Sequence, residues 1–400
     1  MFDPDAARPH PAVFMVLIIP FGLVTGFISV TLGYLLGHAG VKAEGVAALV
    51  AVSFIPQTWK FLWAPVADLS LTRKRWYALA AVFCALGLAA LGAIAPVAAS
   101  LPLLSAVAFA VSVATTFLAM SVESLMAYGT ADEEKGRAGG WFQAGNLGGF
   151  GIGGGAALWI AEHASIGWLP GATLGAASLA CCAALPFVRE PPHLARGATV
   201  LHGVASVLGD LWSVVRSSRG FLALLICFLP IGTGAASNLW AAIAADWRAP
   251  ANTVALVTGA LGGVASAFGC LVGGYACDRM DRKRAYWLFG LAQGGCAVAM
   301  ALSPRTEAVY VVYVLLYAFI SGLTYAAFSA VVLEAMGLGA AATKYNVFAS
   351  LSNMPIQYMT LVDGWAHTRW DAAAMLYVEA AMCLAGIAVF MAAAGLARKR

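Results

Sequence analysis

Gly274-Gly-Tyr-Ala-Cys-Asp278-Arg279-Met-Asp281-Arg282-Lys283-Arg284 ends a glycine-rich apolar run and crowds its charges into a very short stretch. A second, weaker copy, Ala64-Pro-Val-Ala-Asp68-Leu-Ser-Leu-Thr-Arg73-Lys74-Arg75, places Asp68 210 positions before Asp278. In both copies a lone Asp ends one apolar segment and an Arg-Lys-Arg triplet opens the next. A repeat at about half the chain length predicts two similar halves.

The 400 residues are 62% hydrophobic and only 10% charged. Soluble proteins carry about 25% charged residues, so this chain cannot cover a water-facing surface and reads as a membrane protein. A helix needs roughly 20 apolar residues to cross about 30 Å of hydrocarbon, which leaves room for about a dozen spans with short loops. The basic residues behind the net charge of +4 are scattered among loops, which speaks against a nucleic-acid partner. The eight cysteines all lie in apolar runs, and none forms a C-x-x-C pair. They read as small packing residues. The first apolar run is too long for a signal peptide and is taken as the first span.

Hydropathy predicts spans at 12–38, 44–67, 76–98, 101–128, 138–162, 165–188, 220–246, 253–277, 285–303, 308–336, 342–365 and 372–396. Breaks are expected at Pro20 with Gly22 and Gly26, Pro56, Pro230 with Gly232 and Gly234, and Pro355, where neighbouring helices or a cavity satisfy freed backbone groups. With both termini inside, Lys and Arg divide 18 inside to 4 outside, and Lys60 stays within the membrane. That bias predicts cytoplasmic termini. The expected units are a six-helix bundle over 1–188, a cytoplasmic linker over 189–219 and a second six-helix bundle over 220–400. In the linker, Leu201, Val204, Val207, Leu208, Leu211, Trp212, Val214 and Val215 recur at helical spacing. An amphipathic helix on the membrane surface is expected there.

Gly149-Phe-Gly151-Ile-Gly153-Gly154 satisfies G-x-G-x-x-G, but it lies inside an apolar helix with no strand before it. Its overlapping small-x-x-x-small spacings predict close helix packing instead. Six scattered histidines offer no metal-ligand spacing, and neither a nucleophile–base set nor a Walker A loop occurs. No cofactor and no enzymatic activity are expected, so transport would draw on a gradient. Ionisable groups inside spans are expensive and need a reason. Glu123 and Glu334 occupy near-equivalent places in spans 4 and 10 and are the candidates for proton coupling. Lys60 and Lys344 are candidates to hold an anionic substrate group. Gln57, Gln143, Asn146, Asn238, Tyr345, Asn353, Gln357 and Tyr358 complete the candidate substrate-binding set. Burial favours the neutral form of a carboxyl and an adjacent cation the charged form. Were Lys60 beside Glu123, substrate and proton could compete for one partner. Glu379 in span 12 is expected to be a peripheral pairing partner. Asp68 and Asp278, with Arg73, Arg75, Gly274, Arg279, Arg282 and Arg284, form the candidate gate, in which a carboxylate caps a facing helix and accepts from a neighbouring Arg.

The small-x-x-x-Asp and Arg-Lys-Arg loops resemble the loop motif of the major facilitator superfamily. Asp281 stands where that family usually has Gly, and the first copy lacks the leading Gly. Lys60-Phe-Leu-Trp63-Ala-Pro65-Val-Ala-Asp68 resembles the Lys-x-Leu-Trp-x-Pro-x-x-Asp signature of the AmpG-like branch: muropeptide permeases, acetyl-CoA transporters and single-component siderophore permeases. Asp132-Glu-Glu-Lys-Gly136-Arg and the run from Ala342 through Pro355 to Asp363-Gly-Trp365 are similar to that branch too. Ala119 stands where the muropeptide permeases carry the first of two acids in span 4, Glu123 keeps the second, and Asn146 replaces an expected Arg. The extra helices of the larger muropeptide permeases are also missing. The resemblance implies an all-α membrane protein with twelve spans in two bundles related by a pseudo-two-fold axis. It further implies a monomeric transporter of the bacterial inner membrane that works by alternating access and imports a polar organic solute, muropeptide-like or siderophore-like, with protons. A drug or metabolite exporter is the rival within the fold. A non-transporting receptor or scaffold is the rival outside it, disfavoured by the repeated loop motif.

Overall fold

With no water in the hydrocarbon to satisfy backbone N–H and C=O groups, apolar runs of this length must bond internally as helices. The computed structural model describes residues 10–130, 135–190, 209, 212, 216, 218–336 and 347–397, with backbone alone for a few helical residues that include Asp68 and Glu334. Among the described residues there is no strand, and nine helices are long and apolar enough to cross a membrane. In the first half these are span 1 (Ala12–His38), span 2 (Ala43–Leu69), span 3 (Arg73–Ala93), span 4 (Leu101–Gly129) and span 6 (Leu169–Phe187). In the second half they are span 8 (Ala251–Cys277), span 9 (Arg282–Leu302), span 10 (Glu307–Met336) and span 12 (Ala372–Ala397).

The other three predicted spans are present in less regular form. Span 5 runs as Lys135–Gly151, a wide turn at Ile152–Ala156 and Ala157–His163, and is too rich in glycine to match the hydropathy of its neighbours. Span 11 is helical over Asn353–Arg369, while residues 337–346 before it, with Lys344 and Tyr345, lie outside the described residues. Span 7 departs furthest from a helix. Ser218–Ile226 is α-helical, and the chain then winds through Pro230 and left-handed Gly232 (φ 58) and Gly234 (φ 69) into short 3-10 turns at Ala235–Asn238 and Ala244–Trp247. Glycine is needed at both positions, since other residues rarely adopt φ > 0. The expected break at Pro56 does not appear, because the helix continues through it. In span 1 the helix continues through Pro20 and Gly22 and widens into a π segment immediately after Gly26, at Phe27–Leu32.

The pairing of spans repeats. Span 2 packs on span 4 as span 8 does on span 10, span 3 on spans 4 and 6 as span 9 does on spans 10 and 12. The two bundles meet where span 2 packs against span 11 and span 5 against span 8, pairings that exchange under the same six-span shift. The glycines of span 5 make the packing that their spacing predicts. Gly145, Gly149 and Gly153 lie against the Met15, Ile19 and Leu23 carbonyls of span 1, with no room for a methyl group. Gly155 faces span 8, where a Cβ would lie 2.6 Å from the Ala255 carbonyl.

The start of span 1 and the end of span 12 lie on one face, called here the terminal face. At the opposite face the seam between spans 2 and 11 is shut: a Cβ on Gly364 would run into Ala47 and stand 2.9 Å from the Ala43 carbonyl oxygen. Just beyond, the Glu44 amide donates to Thr368 Oγ1 at 3.0 Å, and His367 Nε2 meets Asp246 Oδ2 at 2.6 Å. Of the predicted linker helix only single residues are described. Arg216 N–H donates to the Trp212 carbonyl at 3.3 Å and its guanidinium lies 5.3 Å from the indole centre, one helical turn with both side chains exposed. The remainder lies outside the described residues.

Candidate functional site

Spans 2 and 4 run side by side, and three side-chain bonds join them. Gln57 Nε2 donates to Thr115 Oγ1 at 2.8 Å, Lys60 Nζ to Glu123 Oε1 at 3.1 Å, and Trp63 Nε1 to Thr116 Oγ1 at 3.1 Å. Gln57, Lys60 and Trp63 recur every three residues, so one helical stripe of span 2 carries all three donors. Thr115 and Thr116 bond back to their own helix through the Ser112 and Val113 carbonyls, which leaves their lone pairs free for those donors. The Lys60–Glu123 pair is shielded but not sealed, with side chains 14% and 26% exposed. A charge-assisted bond at that depth persists. Glu123 sits six residues from the terminal-face end of span 4, about 9 Å along the axis.

The other expected substrate-binding residues are dispersed. Gln143 is exposed on span 5 and accepts from Asn146 Nδ2 at 3.3 Å, and Gln357 is half-buried on span 11. Asn353 spends its amide on the Ala349 and Ser350 carbonyls, and Tyr358 donates to the Phe228 carbonyl at 2.8 Å, bracing the broken part of span 7. Asn238 is buried, donating to Thr360 Oγ1 at 2.9 Å. Lys344, Tyr345 and the Glu334 side chain lie outside the described residues.

At the terminal face the helix starts are capped by residues outside the candidate gate set. The carboxylate that caps span 3 is Glu190, which follows span 6: it accepts from the Arg73 amide at 2.6 Å and the Lys74 amide at 3.2 Å. Thr72 caps the same helix by accepting from the Arg75 amide. In the second half Asp281, standing where the family motif usually has Gly, caps span 9 by accepting from the Arg284 amide at 2.9 Å. Asp278 is exposed at the end of span 8, and Arg279 stacks over the Tyr275 ring at 3.4 Å. Gly274 has open space where a Cβ would stand, whereas its neighbour Gly273 lies against Leu323 of span 10. Arg282 and Arg284 open span 9, and the Asp68 side chain is outside the described residues.

Glu379 is no peripheral partner, because it is buried and accepts from the Tyr317 hydroxyl. Asp363 is fully buried in span 11. An Asp inside an otherwise apolar span is itself the signal that marks it. A groove of about 850 Å³ between spans 5 and 8 is lined by Gly148, Gly151, Ile152, Leu256, Val264 and other apolar residues, with Asn252 its polar member. Its lining does not suit a charged solute. Among the described residues no cluster of His, Cys, Asp and Glu could hold a metal ion.

Known proteins agree with this architecture. The anhydromuropeptide permease of Escherichia coli K12 is 25% identical over 391 residues, covering 94% of this chain and 78% of that protein. The nucleoside transporter NupG superposes with a TM-score of 0.73 at 12% identity, covering 96% of this chain and 98% of that one. The xylose transporter XylE of E. coli, in a partially occluded inward open conformation, superposes at 0.70 and 13% identity, covering 94% and 95% of the two chains. The Major Facilitator Superfamily profile matches residues 14–357, and with that match across most of its length the chain belongs to the Major Facilitator Superfamily.

Proposed function

We propose that this chain is a secondary active transporter of the bacterial inner membrane that imports a polar organic solute with protons by alternating access. The observation that carries this reading is the Lys60–Glu123 pair, shielded between spans 2 and 4 and still open to an incoming group. A solute carboxylate that takes Lys60 leaves Glu123 without its cation, and an uncompensated carboxyl at that depth takes up a proton. Solute and proton are thereby linked through one lysine. The permease relative at 25% identity favours a muropeptide-like solute, while Ala119 and Asn146, at two places where the muropeptide permease pattern carries charge, favour a siderophore-like one. The units of the machine are bundles over 1–188 and 220–400 joined by the 189–219 linker, with Asp68 and Asp278 latching the terminal face. The 18-to-4 charge bias supports placing that face in the cytoplasm, and labelling of a cysteine at position 200 from outside intact cells would reverse the orientation.

Uptake into proteoliposomes tests the coupling, with radiolabelled anhydromuropeptide and a ferric siderophore assayed in parallel, with and without an imposed pH gradient. Glu123→Gln mimics the protonated acid. It is expected to abolish gradient-driven accumulation and to spare solute exchange. Accumulation by the Gln variant at the wild-type level refutes a coupling role for Glu123.

A further inference from the structure

The second bundle holds a polar cluster that the reading above does not use. Glu379 of span 12 accepts from the Tyr317 hydroxyl of span 10 and from the Ala236 amide in the wound part of span 7. Gln293 of span 9 bonds Ser321 Oγ at 2.8 Å, and left-handed Gly232 and Gly234 lay the span 7 backbone directly on Thr324, Ser321 and Gln293. Asp363 is 0% exposed, and among the described residues neither of its carboxyl oxygens has a hydrogen-bond partner. Glu379 Oε2 is likewise buried without a partner. Asp363 and Glu379 act on each other electrostatically, and Tyr317 feels both.

Two buried carboxylates with three unpartnered oxygens cannot both stay charged, because a dry, uncompensated anion neutralises itself instead. Their hydrogen bonds decide which one does so. Glu379 has two donors to hold its charge, and Asp363 has none. Among the described residues, the other ionisable groups facing the pair bring no fixed positive charge. Span 9 presents Cys296, span 12 Cys383 and span 10 Tyr317. The wound part of span 7 offers the Ala236 amide. Glu44 of span 2 lies across the seam against Gly364, and His367, one turn along span 11, is engaged with Asp246 of span 7.

Position then gives the site a direction. Asp363 lies six residues from the end of span 11 and Glu379 seven from the start of span 12, so both are about 9–10 Å below the face opposite the termini. Gly364, the next residue, forms the tight seam with span 2 that shuts this face. We propose that Asp363, with Glu379 as its anionic partner, is a proton-loading site read from the outer face, and that its protonation permits the seam between spans 2 and 11 to close. One proton joins one carboxyl oxygen and the pair goes from two negative charges to one. A charged Asp363 needs water, which reaches it only through an open seam.

The direction of this site rests on the proton-driven import proposed above, while its existence does not. Two measurements on the purified full chain test it, and neither needs a transported solute. Infrared difference spectra across pH are expected to show a protonated carboxyl in a dry environment that disappears in Asp363→Asn and persists in Glu123→Gln. Spin labels at Lys42 and Trp370, in a background freed of native cysteines, report the seam. One linked proton raises the open-to-closed ratio by up to tenfold per pH unit, and Asp363→Asn is expected to stay closed at every pH. A carboxyl band or a pH response that survives Asp363→Asn overturns the proposal, as does a seam that responds to Na⁺ at constant pH. Should Asp363→Asn fail to insert, Glu379→Gln carries the test. Losing the neighbouring anion must move the midpoint toward acid, and an unmoved midpoint overturns the proposal.

Discussion

Removing either partner of the Lys60–Glu123 pair is expected to destabilise the protein more than removing both. At 3.1 Å and an effective dielectric of 20, two unit charges attract by about 5 kcal/mol before desolvation is counted. Both side chains keep some contact with water, 14% and 26% of their surface, so the net coupling falls toward that of a hydrogen bond between charged groups, about 1.5–3 kcal/mol. Lys60→Met leaves Glu123 without a cation at a depth where few donors replace it, and Glu123→Gln leaves Lys60 in the same position. The assay is a double-mutant cycle: equilibrium unfolding in mixed micelles of wild type, each single variant and the pair. The double variant is expected to recover about 1.5–3 kcal/mol relative to the sum of the singles. Additivity within about 0.5 kcal/mol refutes the pairing, and with it the idea that solute and proton compete for Lys60.

Gly273 and Gly274 should part company on substitution. Gly273→Ala puts a methyl 2.9 Å from Leu323 Cα and lowers stability by about 1–3 kcal/mol, whereas Gly274→Ala enters open space and stays within about 0.5 kcal/mol, both by thermal unfolding. Asp371 caps span 12 by accepting from the Ala374 amide at 2.8 Å. That amide first, and Arg305 beside it, hold the carboxyl below its ordinary value. Its contribution is therefore complete above the ordinary Asp value of about 3.9 and fades as pH falls through the lower folded value. Asp371→Ala should cost about 1 kcal/mol at neutral pH, with the gap to wild type closing in acid. Asp278→Asn should insert normally and lose transport, because the basic triplet that sets topology remains while the proposed latch does not. Wild-type uptake by that variant reduces the loop to a topology signal.

The fold was open to reading because membrane spans obey coarse rules. Length, hydropathy and the repeated Asp-to-Arg-Lys-Arg loop placed the nine regular spans, and the glycine spacing of span 5 named its packing. Span 7 was harder, since Pro230, Gly232 and Gly234 mark a break but do not say that the following twenty residues stay unwound. Lys60 and Glu123 could be picked singly as charges in apolar helices, yet their contact depends on how span 2 rotates against span 4, which no spacing within one helix records. Glu190 as the cap of span 3 was out of reach for the same reason: it comes from 117 positions along the chain. Asp363 needed only the rule already applied to Glu123.

The two halves repeat their packing and not their chemistry. In the first bundle an acid is paired with a lysine and stands about 9 Å from the terminal face, where on the proposed reading a solute that takes Lys60 would release it. In the second, an acid without partners stands about 9 Å from the opposite face, beside the seam that shuts that face. A transporter that rocks between two closures needs each gate to sense whether its load is in place. A lysine that trades one carboxylate for another senses an anionic solute, and a carboxyl that can close in only when protonated senses a proton. On the proposed reading the irregular backbone of span 7 serves the second task. A continuous helix would bond its amides to itself, and the Ala236 N–H that steadies Glu379 is available because the helix has come apart at Gly232 and Gly234. Restoring the helix there, for example by Gly232→Ala with Gly234→Ala, would then cost the second bundle its proton site before it cost the protein its fold.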